Sequence, residues 1–162
     1  MFSKGEIIVY GSSGVCEIID ITERVIAKQK HTYYVLKPKQ LNQSSIFVPI
    51  DNEMLVSRIR KLYTEKEILG LIKESKDNDI KWDDDTNKRT REYHSIIATG
   101  DLKQIVSIIR KINAFSKKKE SSDFHFSKSD ERTYKMAMNV LYNEISYVMD
   151  ITQEELEKLI NS

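Results

Sequence analysis

The stretch KWDDDTNKR (81–89) gathers the residues of this chain best suited to chemistry. It holds the only tryptophan, Trp82, then three aspartates, then Lys88 and Arg89, with Arg91 two positions further on. No other large apolar side chain stands in the run. A flat indole set among cations can wedge against an unstacked base or base step, replacing lost stacking. Such a contact is worth ~1–3 kcal/mol per base. Lys88, Arg89 and Arg91 can then hold nearby phosphates, which position a protein without reading sequence. The competing role for Trp82 is mechanical, an indole that clamps one part of the protein onto another.

The acidic triplet Asp83–Asp85 could hold a hard cation. A calcium loop, however, needs a glycine at its sixth position and a glutamate at its twelfth, and neither is present. Acids just before a helix favour its positive end, by ~0.3–1 kcal/mol each when exposed, and that is the reading preferred. GSSG (11–14) lies between two strand-like runs and opens no helix, so a turn is expected there rather than a phosphate loop. His31, His94 and His125 show no ligand spacing. Nucleophile-elbow, zinc-protease and nucleotide fingerprints are missing from the sequence. A binding protein without metal or cofactor is expected, not an enzyme.

The net charge of +1 conceals strong patterning. Thr86 to Lys119 carries nine Lys or Arg residues against two acids, while both flanks are acidic. Lys111, Lys117 and Lys118 extend the basic stripe that begins at Lys88, and such stripes are a footprint of nucleic-acid binding. Charged content is 31% and apolar content 40%, enough for packed cores in 162 residues. The single cysteine, Cys16, precludes an internal disulfide and reads as a small core residue. No run of 18 apolar residues and no secretory layout occurs, so a cytoplasmic location without membrane contact is expected.

These residues must be held by two kinds of element. Up to about residue 60, EIIVY (6–10), VCEIIDI (15–21), TYYVLK (32–37) and SIFVP (45–49) read as short strands. Turn-prone GSSG, AKQKH (27–31) and PKQLNQ (38–43) separate them, and a small, strongly bent β-barrel is expected. After Tyr63 the period becomes helical. Thr64 with Glu67, and Thr152 with Glu155, form capping-box patterns. Gly100 is placed to end one helix and Asp101 to cap the next. Leu102, Ile105, Val106, Ile109 and Ile112 line the buried side of that next helix, with Lys103, Arg110 and Lys117 at seven-residue steps on the other. Ser127 opens a long helix with Tyr134, Ala137, Leu141, Ile145 and Val148 inward. SKKKESSD (116–123) reads as a loop. The class is α+β, a β unit over 1–60 followed by an all-α unit of about five helices over 61–162.

The order of these motifs resembles the CarD/CdnL family of bacterial transcription regulators. The resemblance rests on the opening GE-IIVY…G, then YYVLK and VP, one early Trp, a GD helix junction, and a long helix ending in LxxEI. Gly5, Tyr10, Gly14, Val48, Pro49, Trp82, Gly100, Asp101, Arg132, Leu141 and Glu144 fall at matching places. Gly11 and Ser13 replace a usual proline and histidine. Phe47 stands where relatives often carry arginine, and DDDT intervenes between Trp82 and its cations. The resemblance implies an N-terminal Tudor-like domain that binds the β subunit of RNA polymerase, with Arg24, Ile46, Phe47 and Pro49 near the contact. It further implies a helical domain on promoter DNA, through Trp82, Lys88, Arg89, Arg91, Lys111, Lys117, Lys118 and Arg132. The implied role is open-complex stabilisation by contacts, without sequence preference, at the upstream edge of the bubble. A monomer is expected, with an open sheet edge as the alternative route to a dimer. The competing function is a protein–protein adaptor whose basic helices bind an acidic partner.

Overall fold

The computed structural model describes residues 1–119 and 127–162, with the backbone alone at 118 and 119. The chain divides into two compact units, Met1–Leu62 and Tyr63–Ser162.

The first unit is a five-stranded antiparallel sheet in the order β4-β3-β2-β1-β5. The strands are β1 (Ile7–Tyr10), β2 (Val15–Ile26), β3 (Gln29–Pro38), β4 (Ile46–Pro49) and β5 (Ile59–Lys61). Ile8, Cys16, Ile18, Tyr34, Leu36, Val48 and Ile59 form one buried cluster, so every strand contributes to it. Five strands that share one small cluster must curl around it, which is the Tudor-like architecture expected. Each such buried aliphatic side chain contributes ~1.5–3 kcal/mol relative to exposure. GSSG is a tight 3₁₀ turn, Gly11–Ser13, closed by Gly14 at a positive φ of 74°. It feeds a strand and not a helix, as its position implied. A short helix, α1 (Glu53–Val56), is capped by Asn52, whose side chain accepts from the Leu55 N–H at 3.1 Å.

Two features of this sheet depart from expectation. β2 continues to Ile26 and β3 begins at Gln29, so AKQKH is mostly strand and the turn is only Ala27–Lys28. Both turn residues have positive φ, 50° and 65°, as a type I′ hairpin requires. β2 also carries a bulge. Ile18 pairs with Leu36 but Asp20 with Val35, leaving Ile19 as the extra residue. A bulge changes which side chains share a face. Cys16 and Ile18 face the core before it, whereas Asp20, Thr22 and Arg24 face outward after it.

The second unit holds five α-helices among the described residues: α2 (Glu65–Glu74), α3 (Thr86–Thr99), α4 (Leu102–Lys119), α5 (Lys128–Val148) and α6 (Gln153–Asn161). Both capping boxes form, at Thr64–Glu67 and Thr152–Glu155. Gly100 caps α3 in the left-handed conformation, φ 73°. Asp101 accepts from the Gln104 N–H at 3.1 Å, and Ser127 from the Asp130 N–H at 3.1 Å. α4 packs against α2, α3, α5 and α6. Its burial is therefore wider than one stripe, for Ser107 and Ile108 are fully buried beside the five apolar residues expected inside. Residues 116–119 belong to α4 rather than to a loop. Residues 120–123 and His125 lie outside the described residues. No helix among the described residues is long and apolar enough to cross a membrane.

Candidate nucleic-acid interface

Trp82 sits in an irregular segment that runs along α3. Two residues one turn apart on α3 hold it. Tyr93 donates its hydroxyl to the Lys81 carbonyl at 2.7 Å, and Arg89 donates through Nη1 to the Asp83 carbonyl. The carbonyls on either side of Trp82 are thus both fixed by α3. Tyr93 is buried, and that burial pushes its phenol well above the ordinary range, so it remains a neutral donor.

The indole is half-buried. The Phe115 ring of α4 stacks on it at 3.9 Å between centroids and 6° between planes. The Arg89 guanidinium carbon lies 3.9 Å from its ring centre. Two groups that close cannot occupy the same side without overlap, so Phe115 covers one face and Arg89 the other. The indole presents its edge. A face-on stack against a base, the contact expected from the sequence, has no free face to use in this arrangement.

Arg89 is 3% exposed and forms a two-pronged ion pair with Asp130 of α5, itself 2% exposed. Nε reaches Oδ1 at 3.0 Å and Nη2 reaches Oδ2 at 2.7 Å. Ser127 also donates to Oδ2, at 2.6 Å. Removing one partner of so buried a pair costs ~3–5 kcal/mol, because the other charge is left without compensation. Arg89, expected on phosphates, is therefore an internal strut between α3 and α5. The readable signal was its place on the buried stripe of α3 with Tyr93 and Ile97, four and eight residues on. Asp130 stands likewise on the α5 stripe with Thr133, Ala137 and Leu141.

The aspartates serve the start of α3. Asp85 is its N-cap and accepts from the Asn87 and Lys88 N–H groups at 2.9 and 3.1 Å. Asp83 accepts from the Asp85 N–H at 2.9 Å and pairs with Lys88 at 2.7 Å. The Lys88 ammonium holds the Asp83 carboxyl below its usual range, and the carboxylate in turn raises Lys88. Lys88 is more than half exposed, so this pair is open to exchange for a phosphate.

The remaining cations do not converge. Lys111 precedes Phe115 by one turn of α4 and is half-exposed on the same side. Arg91 is exposed, about 200° round α3 from Arg89. Lys117 is exposed about 200° round α4 from Phe115. It lines a groove of about 500 Å³ together with Lys76, Arg110 and Asn161. Arg110 is committed there, donating to the Ile160 carbonyl at 2.9 Å and to the Ser75 carbonyl. Arg132 is exposed, about 200° round α5 from Asp130. The side chain of Lys118 lies outside the described residues. The seven-residue stripe of α4 is thus a mixed surface, with Arg110 tied to helix ends and Lys103 3.9 Å from Glu74.

In the first unit, the outer face of the sheet gathers Arg24, Tyr33, Phe47 and Pro49. The register pairs Tyr33 with Pro49 and Val35 with Phe47, so these residues share one side. The Arg24 guanidinium lies 4.1 Å from the centre of the Phe47 ring, and Tyr33 meets that ring edge-on at 6.4 Å. Phe47 remains 40% exposed. Ile46 differs from expectation. Strand alternation turns it to the other face, where it packs half-buried against the core cluster.

Two family models match the chain. The CarD-like/TRCF RID domain matches residues 2–62 and the CarD C-terminal domain residues 67–161. No curated protein sequence matches it.

Proposed function

This chain belongs to the CarD family of RNA polymerase-interacting transcription regulators, and from that premise we propose that it stabilises the promoter open complex. The first unit docks on the polymerase β subunit through the outer sheet face, with Arg24, Phe47 and Pro49 at the contact. The second unit meets DNA at the upstream edge of the bubble through the edge of Trp82, with Lys88 and Lys111 on phosphates. Arg89 works inside the protein, and Arg91, Lys117 and Arg132 stand on other sides of their helices. An indole braced on both faces can hold a distorted base step apart by its edge without paying for its own ordering. That slows closure of the bubble at any sequence.

The observation that carries this reading is the mounting of Trp82: half-buried, held at the carbonyls on both sides, and near the exposed cation Lys88. The test is co-purification with core polymerase followed by open-complex lifetime. The protein is expected to lengthen that lifetime. Trp82→Ala is expected to keep polymerase binding and lose most of the lengthening. Retention of full lengthening by a folded Trp82→Ala protein rejects the wedge, and binding that survives nuclease but needs no promoter favours an adaptor.

A further inference from the structure

The Arg89–Asp130 pair joins two helices, yet it also touches the one residue on which the DNA reading turns. The guanidinium has two sides of use. Its edge donates to both Asp130 oxygens and to the Asp83 carbonyl, while its flat face lies on the Trp82 ring. A guanidinium with its donors occupied in one plane has no freedom to tilt, so whatever lies against its face is fixed with it. Ser127 adds a third bond to the carboxylate, which locks the Asp130 rotamer in turn. A lysine at position 89 could not do the same, since a single ammonium has no flat face and no fork.

We propose that Asp130 is a positioning residue for Trp82: it holds the Arg89 guanidinium flat on one face of the indole while Phe115 covers the other, so that a single edge-on orientation is presented. This rests on the open-complex reading above for its role in DNA contact, but the orientation itself is a property of the protein alone. The pair lies on the inner stripes of α3 and α5, where it cannot touch a ligand. Its effect on DNA passes through the indole.

The lone tryptophan makes the idea measurable in the full chain, because all indole fluorescence comes from Trp82. Three variants are needed. Asp130→Asn breaks the pair and leaves Arg89 uncompensated. The double variant Arg89→Leu with Asp130→Leu replaces the pair by apolar packing, which buried ion pairs often tolerate. Folding is checked by far-UV circular dichroism. Acrylamide quenching of Trp82 is then read in the free protein, and the lifetime of its complex with a forked DNA of mixed sequence is read beside it. In the folded double variant, quenching is expected to rise and emission to shift to the red. The fork lifetime is expected to shorten by roughly three- to tenfold, the scale of one cation–π contact. Arg89→Lys is expected to behave like the double variant, not like the parent. Unchanged quenching and lifetime in the folded double variant overturn the proposal. Failure of that variant to fold overturns it as well, since the pair is then a fold element. If Trp82→Ala leaves the fork lifetime unchanged, the DNA reading falls, whereas the clamp is judged by quenching alone.

Discussion

At the scale of single residues, charge was easier to read than its destination. Lys88 and Arg89 are neighbours in sequence with opposite fates: one lies outside, paired with a half-buried carboxylate, and the other is sealed against a fully buried one. The partner that decides the matter for Arg89 is 41 positions away, beyond any local pattern. Trp82 was legible as the unusual residue, but its Phe115 neighbour comes from another helix and left no mark at short range. Cys16 was read as a core residue, and it is fully buried. Burial pushes its thiol up to about 11, so the reactive thiolate is scarce at neutral and mildly alkaline pH. Native protein at pH 8 is expected to resist iodoacetamide and to be labelled at once in denaturant. Rapid labelling of the native protein would mean that β1 and β2 part far more readily than the packing implies.

At the scale of elements, the helices were legible because their ends carry local chemistry. Capping boxes, the Gly100 cap and the Asp101 and Ser127 caps all act within three residues. The outer arm of the β2–β3 hairpin was not legible. Residues 23–30 are exposed, so no apolar alternation marks them as strand, and the turn lacks the Asn-Gly pair that signals a type I′ geometry. Holding Ala27 and Lys28 at positive φ works against their side chains. Ala27→Asn with Lys28→Gly is expected to stabilise the first unit by roughly 1 kcal/mol, seen as a higher urea midpoint. Gly100→Ala places a side chain at a left-handed cap and is expected to destabilise the second unit by about 1 kcal/mol. Equal midpoints for the Gly100→Ala and parent proteins would show that the α3–α4 junction does not hold that conformation in solution.

At the scale of the whole molecule, the division of labour follows from two cores, each complete within its own stretch of chain. With Arg89 enclosed and Arg91, Lys117 and Arg132 on separate sides, only ~2–4 phosphates are within reach of Trp82, and log K for free DNA is expected to fall with log salt at a slope of about −2 to −4. In the proposed function so weak a contact suffices, because polymerase docking makes it effectively intramolecular. A steep slope near −8, measured by titration at several salt concentrations, would point to a much wider basic surface than the one around Trp82. The proposed docking face depends on a backbone bulge rather than on composition. Ile19 is the supernumerary residue of β2, and its bulging out of the ladder lets Arg24 share a side with Phe47 although Ile18, six positions earlier, faces the core. Iron out the bulge with Ile19 retained in the ladder and the distal arm keeps every amino acid yet turns outward Ile21, Glu23 and Val25 in place of Thr22 and Arg24, whereas removal of Ile19 itself leaves Thr22 and Arg24 where they are. Drift at this strand should therefore tolerate loss of Ile19 and punish any change that draws it back into the ladder.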